Sequence, residues 1–166
     1  MKAIHEYILA TAEGLLVGGR LLDYGCGRGE IVLAARKRGI EAYGCDTFYG
    51  GAPERSKLVG QLDTFVFEMK DGIIPFPNAH FECVVSNQVL EHIDDWSPSL
   101  AEINRVLKPG GVLLALFPTR EAWREGHIGI PFAHWFGRTS RMRRPYTSLM
   151  RRLGFGYFKK GKQISQ

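Results

Sequence analysis

The run Asp23-Tyr24-Gly25-Cys26-Gly27-Arg28-Gly29 sets one carboxylate before three alternating glycines, directly after the apolar pair Leu21-Leu22. Glycine at that spacing lets the backbone turn tightly and approach a ligand, because a Cβ would clash or forbid the required φ. Ile31, Val32, Ala34 and Ala35 then follow on helical spacing, so a helix begins here with its N-terminus toward the bound group. A dinucleotide fingerprint needs glycine at the first, third and sixth positions. The sixth position here is Glu30, which argues against a nicotinamide cofactor.

Such a cradle must be positioned by a sheet. Residues 3–16 have helical spacing and end at Gly18-Gly19, and 20–24, 40–45, 64–67, 81–86 and 112–117 read as strands. Residues 30–38 are a helix, and residues 47–60 are Gly-rich and then helical. Ser97-Pro98 opens another helix with Ser as N-cap and Pro at the first helical position, and Pro109-Gly110-Gly111 stops it. The last strand is apolar throughout, which predicts burial on both sides. Strands alternating with helices imply an α/β fold with a doubly wound, mostly parallel sheet. In such sheets ligands lie beyond the carboxyl ends of the strands, and Asp23, Asp46, Asp71, Asn87 and Thr119 all fall there.

Four segments together resemble the class I S-adenosyl-L-methionine (AdoMet) dependent methyltransferases, especially those acting on small molecules. They are the glycine loop, Ala42-Tyr43-Gly44-Cys45-Asp46, Lys70-Asp71-Gly72-Ile73-Ile74-Pro75-Phe76-Pro77, and Phe81–His92 with the helix–Lys-Pro-Gly-Gly–strand run at 97–117. The resemblance implies a Rossmann-like methyltransferase fold, short at its C-terminal strands, and AdoMet as cofactor. It places Asp23, Gly25, Cys26, Gly27 and Gly29 around the methionine end and Asp46 on the ribose hydroxyls, where a carboxylate accepts two bonds. Asp71, beside Gly72, would take the adenine amino group, although its spacing to Pro75-Phe76 is one residue short of the family pattern. Asn87 and Gln88 would line the methyl-transfer site. Turn or capping duty is the plainer alternative for Asp23, Asp46, Asp71, Asn87 and Gln88.

A hydroxyl acceptor also needs a general base, for which His92, His127 and His134 are the candidates. Glu91 and His92 are adjacent, so on a helix they point about 100° apart and cannot both face the site. Ser86-Asn87-Gln88-Val89 stands where amino methylases of nucleobases carry Asn/Asp-Pro-Pro-aromatic, which argues against DNA adenine methylation. Trp123, His127, Phe132, His134 and Trp135 form either an acceptor lid or core packing.

The chain of 166 residues suffices for one α/β domain. Its expected plan is an N-terminal helix (1–19), a cofactor-binding core (20–118), a lid (119–150) and a shortened strand region (151–166). No apolar run approaches a membrane span and no leader precedes the first helix, so a cytoplasmic location is expected. Cys26, Cys45 and Cys83 lack metal-ligand spacing and read as buried reduced thiols, with no metal expected. The net charge of +5 is uneven: residues 119–166 hold 11 Lys/Arg against 2 Asp/Glu, and residues 1–118 hold 11 against 15. That basic third suits an anionic partner or is a solvated face. Arg138, Arg141, Arg143 and Arg144 would bind a phosphate or carboxylate of the substrate, or coat a helix.

The resulting expectation is methyl transfer to a small-molecule, sugar- or lipid-linked acceptor at oxygen. The alternatives are an RNA or protein methyltransferase using the basic third, and a non-catalytic AdoMet-binding module. Nucleic acid is disfavoured because no RNA-binding module is recognisable. An exposed parallel edge would invite pairing, so a homodimer is expected.

Overall fold

The structure, a computed structural model, describes residues 3–16, 18–48, 58, 60–117, 130–132, 136 and 140–156. The chain divides into two compact units, Met1–Phe117 and Pro118–Gln166. In the first unit the order is α1 (Ala3–Leu15), β1 (Arg20–Tyr24), α2 (Glu30–Lys37), β2 (Glu41–Asp46), β3 (Val66–Glu68), β4 (Phe81–Asn87), a 3-10 turn (Leu90–His92), α3 (Trp96–Val106) and β5 (Leu107–Leu116). The second contains α4 (Arg143–Arg152).

The sheet is parallel with strand order β3-β2-β1-β4-β5. The order reverses between β1 and β4, where Leu21 pairs with Cys83 and Asp23 with Val85. Alternation along the strands splits the core into two layers. Leu21, Cys83 and Val85 pack with Ile8, Leu9 and Ala12 of α1 and with Ile31, Val32 and Ala35 of α2. Leu22 and Val84 point the other way, onto Ile103 and Val106 of α3. A buried doubly wound sheet therefore follows from short apolar strands facing helices on both sides.

The 70–78 loop is held to α3 by two side chains, Arg105 and Glu102. Arg105 donates to the carbonyls of Ile74 and Phe76, both at 2.8 Å, and to Asn78 Oδ1 at 3.0 Å. It also donates to Glu102 at 2.7 and 2.8 Å, and Glu102 accepts from the Ile74 N–H at 3.0 Å. Phe76 packs edge-on against Tyr43, Phe67 and Phe81 with centroids 4.9–5.3 Å apart.

Several boundaries differ from the sequence expectation, each for a local reason. The N-cap of α3 is Asp95, whose carboxylate accepts from the Ser97 N–H at 2.9 Å; Ser97 and Pro98 lie inside the first turn. The short strand is Val66–Glu68 rather than 64–67, because residues 61–65 form turns around Gln61 O. Pro109-Gly110-Gly111 does not separate helix from strand. It is a bulge within β5, where the register jumps from Phe81↔Leu107 to Cys83↔Val112. No residue of β5 is buried, contrary to the two-sided burial expected of it. The reason is its place: among the described residues β5 pairs only with β4 and is an edge. Most of 47–60, and the strand expected beyond Leu153, lie outside the described residues.

The three cysteines are free and buried, as expected. Burial pushes the thiols of Cys26, Cys45 and Cys83 up, the last to about 11, which keeps them protonated and unreactive. In the second unit, α4 has no buried residue. Met142, Leu149 and Leu153 are exposed on one side, and Arg144, Thr147, Ser148, Arg151 and Arg152 line a shallow cleft of about 460 Å³ on the other. Tyr146 Oη donates to Pro131 O at 2.8 Å and its ring lies 4.8 Å from Phe136.

Candidate functional site

The glycine loop leaves β1 and is bonded to the end of β2. Gly25 and Cys26 both donate their N–H to Cys45 O, at 2.8 and 3.1 Å. Gly25 takes φ 74°, and a Cβ there would lie 2.3 Å from Val89 Cγ2, so only glycine fits. Gly27 takes φ 51°, and a Cβ on it would meet nothing within 4 Å, which leaves the backbone open to a ligand. Asp46 closes the arrangement: Oδ2 accepts from the Gly27 N–H at 2.8 Å and Oδ1 from the Phe48 N–H at 2.9 Å. Each oxygen keeps a second lone pair for a ligand hydroxyl.

A cleft of about 290 Å³ opens at the β1/β4 switch point. It is lined by Asp23, Gly25, Cys26, Arg28, Glu30 and Asn87, with Ile31 and with His5 of α1. Asp23 is 2% exposed. Burial, and secondarily the nearby charge of Asp46, pushes its carboxyl up to about 7. A cation in the cleft would relieve that penalty. The N-cap of α2 is Gly29 at φ 65° with no side-chain cap, so the first-turn amides remain available to an anionic group.

Asn87 Oδ1 and Ser86 Oγ, at the end of β4, are buried without a hydrogen-bond partner. Gln88 follows with φ 59°, an uncommon conformation for a side-chain-bearing residue, held by its N–H donating to Leu116 O at 2.8 Å. The structure thus brings Asp23, Gly25, Cys26, Gly27, Gly29, Asp46 and Asn87 to one end of the sheet. Asp71 and Gly72 are the centre of a two-residue turn (φ 53° and 75°) between bridged Lys70 and Ile73, and the Asp71 side chain is exposed. His92 is exposed on the 3-10 turn. His127 and His134, like Trp123 and Trp135, lie outside the described residues.

Sequence reasoning missed His5, whose Nδ1 lies 3.5 Å from Glu30 Oε2. Its signal was present: His5 is the one polar residue on the buried 5-8-9-12 stripe of α1. Among the described residues no three His, Cys, Asp or Glu side chains gather as a metal site, and no helix is long and apolar enough to cross a membrane.

Comparison with known proteins agrees with this geometry. A family model described as "Methyltransferase domain" matches residues 2–157. The chain is 34% identical over 110 residues to a 27-O-demethylrifamycin SV methyltransferase of Amycolatopsis mediterranei, covering 63% of this chain and 40% of that protein. It is 33% identical over 117 residues to the sterol 24-C-methyltransferase ERG6B of Gibberella zeae, covering 66% and 30%. A crystal structure of an S-adenosylmethionine-dependent methyltransferase from Mesorhizobium loti superposes with a TM-score of 0.58 at 18% identity, covering 84% of this chain and 62% of that one, a likeness of fold. The chain therefore spans less than half the length of these curated relatives.

Proposed function

The chain belongs to the methyltransferase domain family, of the class I AdoMet-dependent kind, and we propose that it binds AdoMet across the β1/β4 switch point and methylates a small-molecule acceptor at oxygen. The observation that carries this reading is the cleft shared by the glycine loop and Asn87, whose Oδ1 is buried with no protein partner. An orphaned polar atom facing a cradle that a Cβ would obstruct fits a ligand with its own donors. Asp46 would hold the ribose hydroxyls on its remaining lone pairs. Asp23 would sit against the positive end of the ligand, and the uncapped turn of α2 would face its carboxylate. Asp71 would contact the adenine from its turn, and Gln88 would line the transfer site.

Bound AdoMet supplies an electrophilic methyl carbon on a sulfonium. What the protein adds is alignment, since positioning alone accounts for most of the rate in such displacements. The glycine loop is built for alignment, because its amides are tied to Cys45 O and to Asp46 before any ligand arrives. The name of the rifamycin relative supports oxygen as the acceptor atom, and the sterol relative shows that the same core also serves carbon. The basic face of α4 supports an anionic group on the partner, with RNA as the alternative that strong salt dependence of binding would favour. The place of β5 as an edge among the described residues supports self-association, which sedimentation would test.

Calorimetric titration with AdoMet and with S-adenosylhomocysteine tests the central claim. Micromolar binding of both supports it. A folded chain that binds neither would remove the methyltransferase reading.

A further inference from the structure

The 3-10 turn after β4 carries a carboxylate with nothing to hold. Both oxygens of Glu91 are buried without a hydrogen-bond partner, although the adjacent His92 is exposed. A buried ionised carboxylate with no donor is among the costliest side-chain placements, and native proteins pair such groups or use them. Three other carboxylates of this unit are paired. Asp46 accepts two backbone amides, Glu82 pairs with Lys108, and Glu102 accepts from Arg105 and Ile74. Ser86 Oγ and Asn87 Oδ1, five and four residues before Glu91, are likewise buried and unpartnered. Of the buried side-chain oxygens without a partner, those of Ser86, Asn87 and Glu91 lie at the carboxyl end of β4, where Asn87 lines the cleft, and Gln61 Oε1 lies beside Gly29.

We propose that Glu91 receives the hydrogen of the methyl acceptor's hydroxyl and takes its proton as the methyl group is transferred. The inference rests on the methyltransferase reading and specifies the acceptor within it. Two buried acceptor oxygens disfavour a carboxylate or phosphate at this point and select a hydrogen donor. The donor must also keep a lone pair for attack. A neutral hydroxyl meets both conditions, whereas a protonated amine has no lone pair to offer. The oxygen lone pair forms the new O–C bond while the S–C bond breaks, its electron pair remains on sulfur, and the O–H proton passes to a Glu91 oxygen. The charge balances: the sulfonium becomes a neutral thioether and the carboxylate a carboxylic acid. Carboxylates serve this role when positioned at the reacting hydroxyl. Any anionic portion of the acceptor has to lie away from Glu91.

The test compares the full chain with Glu91→Gln in three measurements: thermal unfolding without ligand, AdoMet affinity by calorimetry, and S-adenosylhomocysteine formed with catechol, benzyl alcohol, benzylamine or benzoate. The proposal expects Glu91→Gln to unfold at a higher temperature, because a buried carboxyl group without a partner has been replaced at constant shape. It expects AdoMet affinity within about two-fold of wild type and hydroxyl methylation lower by about 100-fold. A lower unfolding temperature would assign Glu91 to the fold and overturn the proposal. An AdoMet affinity about ten-fold weaker would assign it to the cofactor site and overturn it equally. So would undiminished hydroxyl methylation by the variant, or a wild type that binds AdoMet but uses only benzylamine, only benzoate or no probe. A wild type that fails to bind AdoMet overturns the methyltransferase reading, and the unfolding comparison then still judges Glu91 alone.

Discussion

The ends of β1 and β2 and the end of β4 lie on the same side of one sheet, yet they treat their polar groups in opposite ways. At β1 and β2 the loop amides are satisfied within the protein, although Gln61 Oε1 beside Gly29 is not. Gly25, Cys26, Gly27 and Phe48 all donate to Cys45 O or the Asp46 carboxylate, at 2.8–3.1 Å. At β4, Ser86 Oγ, Asn87 Oδ1 and both Glu91 oxygens are buried without partners. The first arrangement is a preformed cradle whose geometry survives without ligand. The second is stability given up, as expected of a place proposed to bind something else.

The largest expected effect falls on the satisfied half. Asp46→Ala removes the acceptor of two loop amides and the carboxylate proposed for the ribose, so AdoMet affinity should fall by about 100-fold, roughly 3 kcal/mol. Calorimetry reads this directly, and an unchanged affinity would reduce Asp46 to a loop tether. Gly25→Ala forces a side chain into φ 74° and within 2.3 Å of Val89, which joins the two halves. It should lower unfolding free energy by about 2–4 kcal/mol in denaturant titration. Arg105→Ala removes the donor of the Ile74 and Phe76 carbonyls and leaves Glu102 with the Ile74 N–H alone. A loss of about 2–3 kcal/mol is expected from the same titration, with a smaller change in AdoMet affinity than Asp46→Ala produces.

The smallest effect concerns pH and sharpens the comparison, because Asp23 is the strained group of the satisfied half. Its folded carboxyl is raised from 3.8 to about 7. Between those values the folded chain holds a proton that the unfolded chain has released. The contribution of Asp23 therefore favours the fold at low pH and is lost as pH rises from 3.8 to about 7. Asp23→Asn should flatten the stability profile across that window and leave the variant about 1 kcal/mol more stable than wild type at pH 8, after allowance for solvent in the cleft. The difference between the two chains isolates Asp23 from Glu41, Glu82 and Glu102, whose lowered values act with the opposite sign. By the same linkage, AdoMet should bind more tightly as pH rises through 7 if ionised Asp23 faces its positive charge as proposed.

Much of this was legible in the residues themselves. The alternating glycines, the acid after the second strand and the apolar strands between helices specify the parallel sheet, because period and turn chemistry act over a few residues. Boundaries were less legible. Asp95 caps α3 although Ser97-Pro98 is the stronger local signal, and Pro109-Gly110-Gly111 became a bulge because strand pairing absorbed it. The burial of β5 was misjudged because hydrophobicity reports a residue's preference and not whether another strand or helix covers it.

The sequence by itself determined the cradle: which residues turn, which carboxylate follows which strand, and which family the pattern resembles. Only the tertiary structure decided that His5 enters the cleft and that Asp23 is held near neutrality by burial. It also placed both Glu91 oxygens inside and left His92 exposed. The division has a physical cause. Local geometry is set by a residue and its near neighbours, whereas burial, orphaned hydrogen bonds and shifted ionisation arise from atoms that are distant in the chain and meet only when the sheet is assembled.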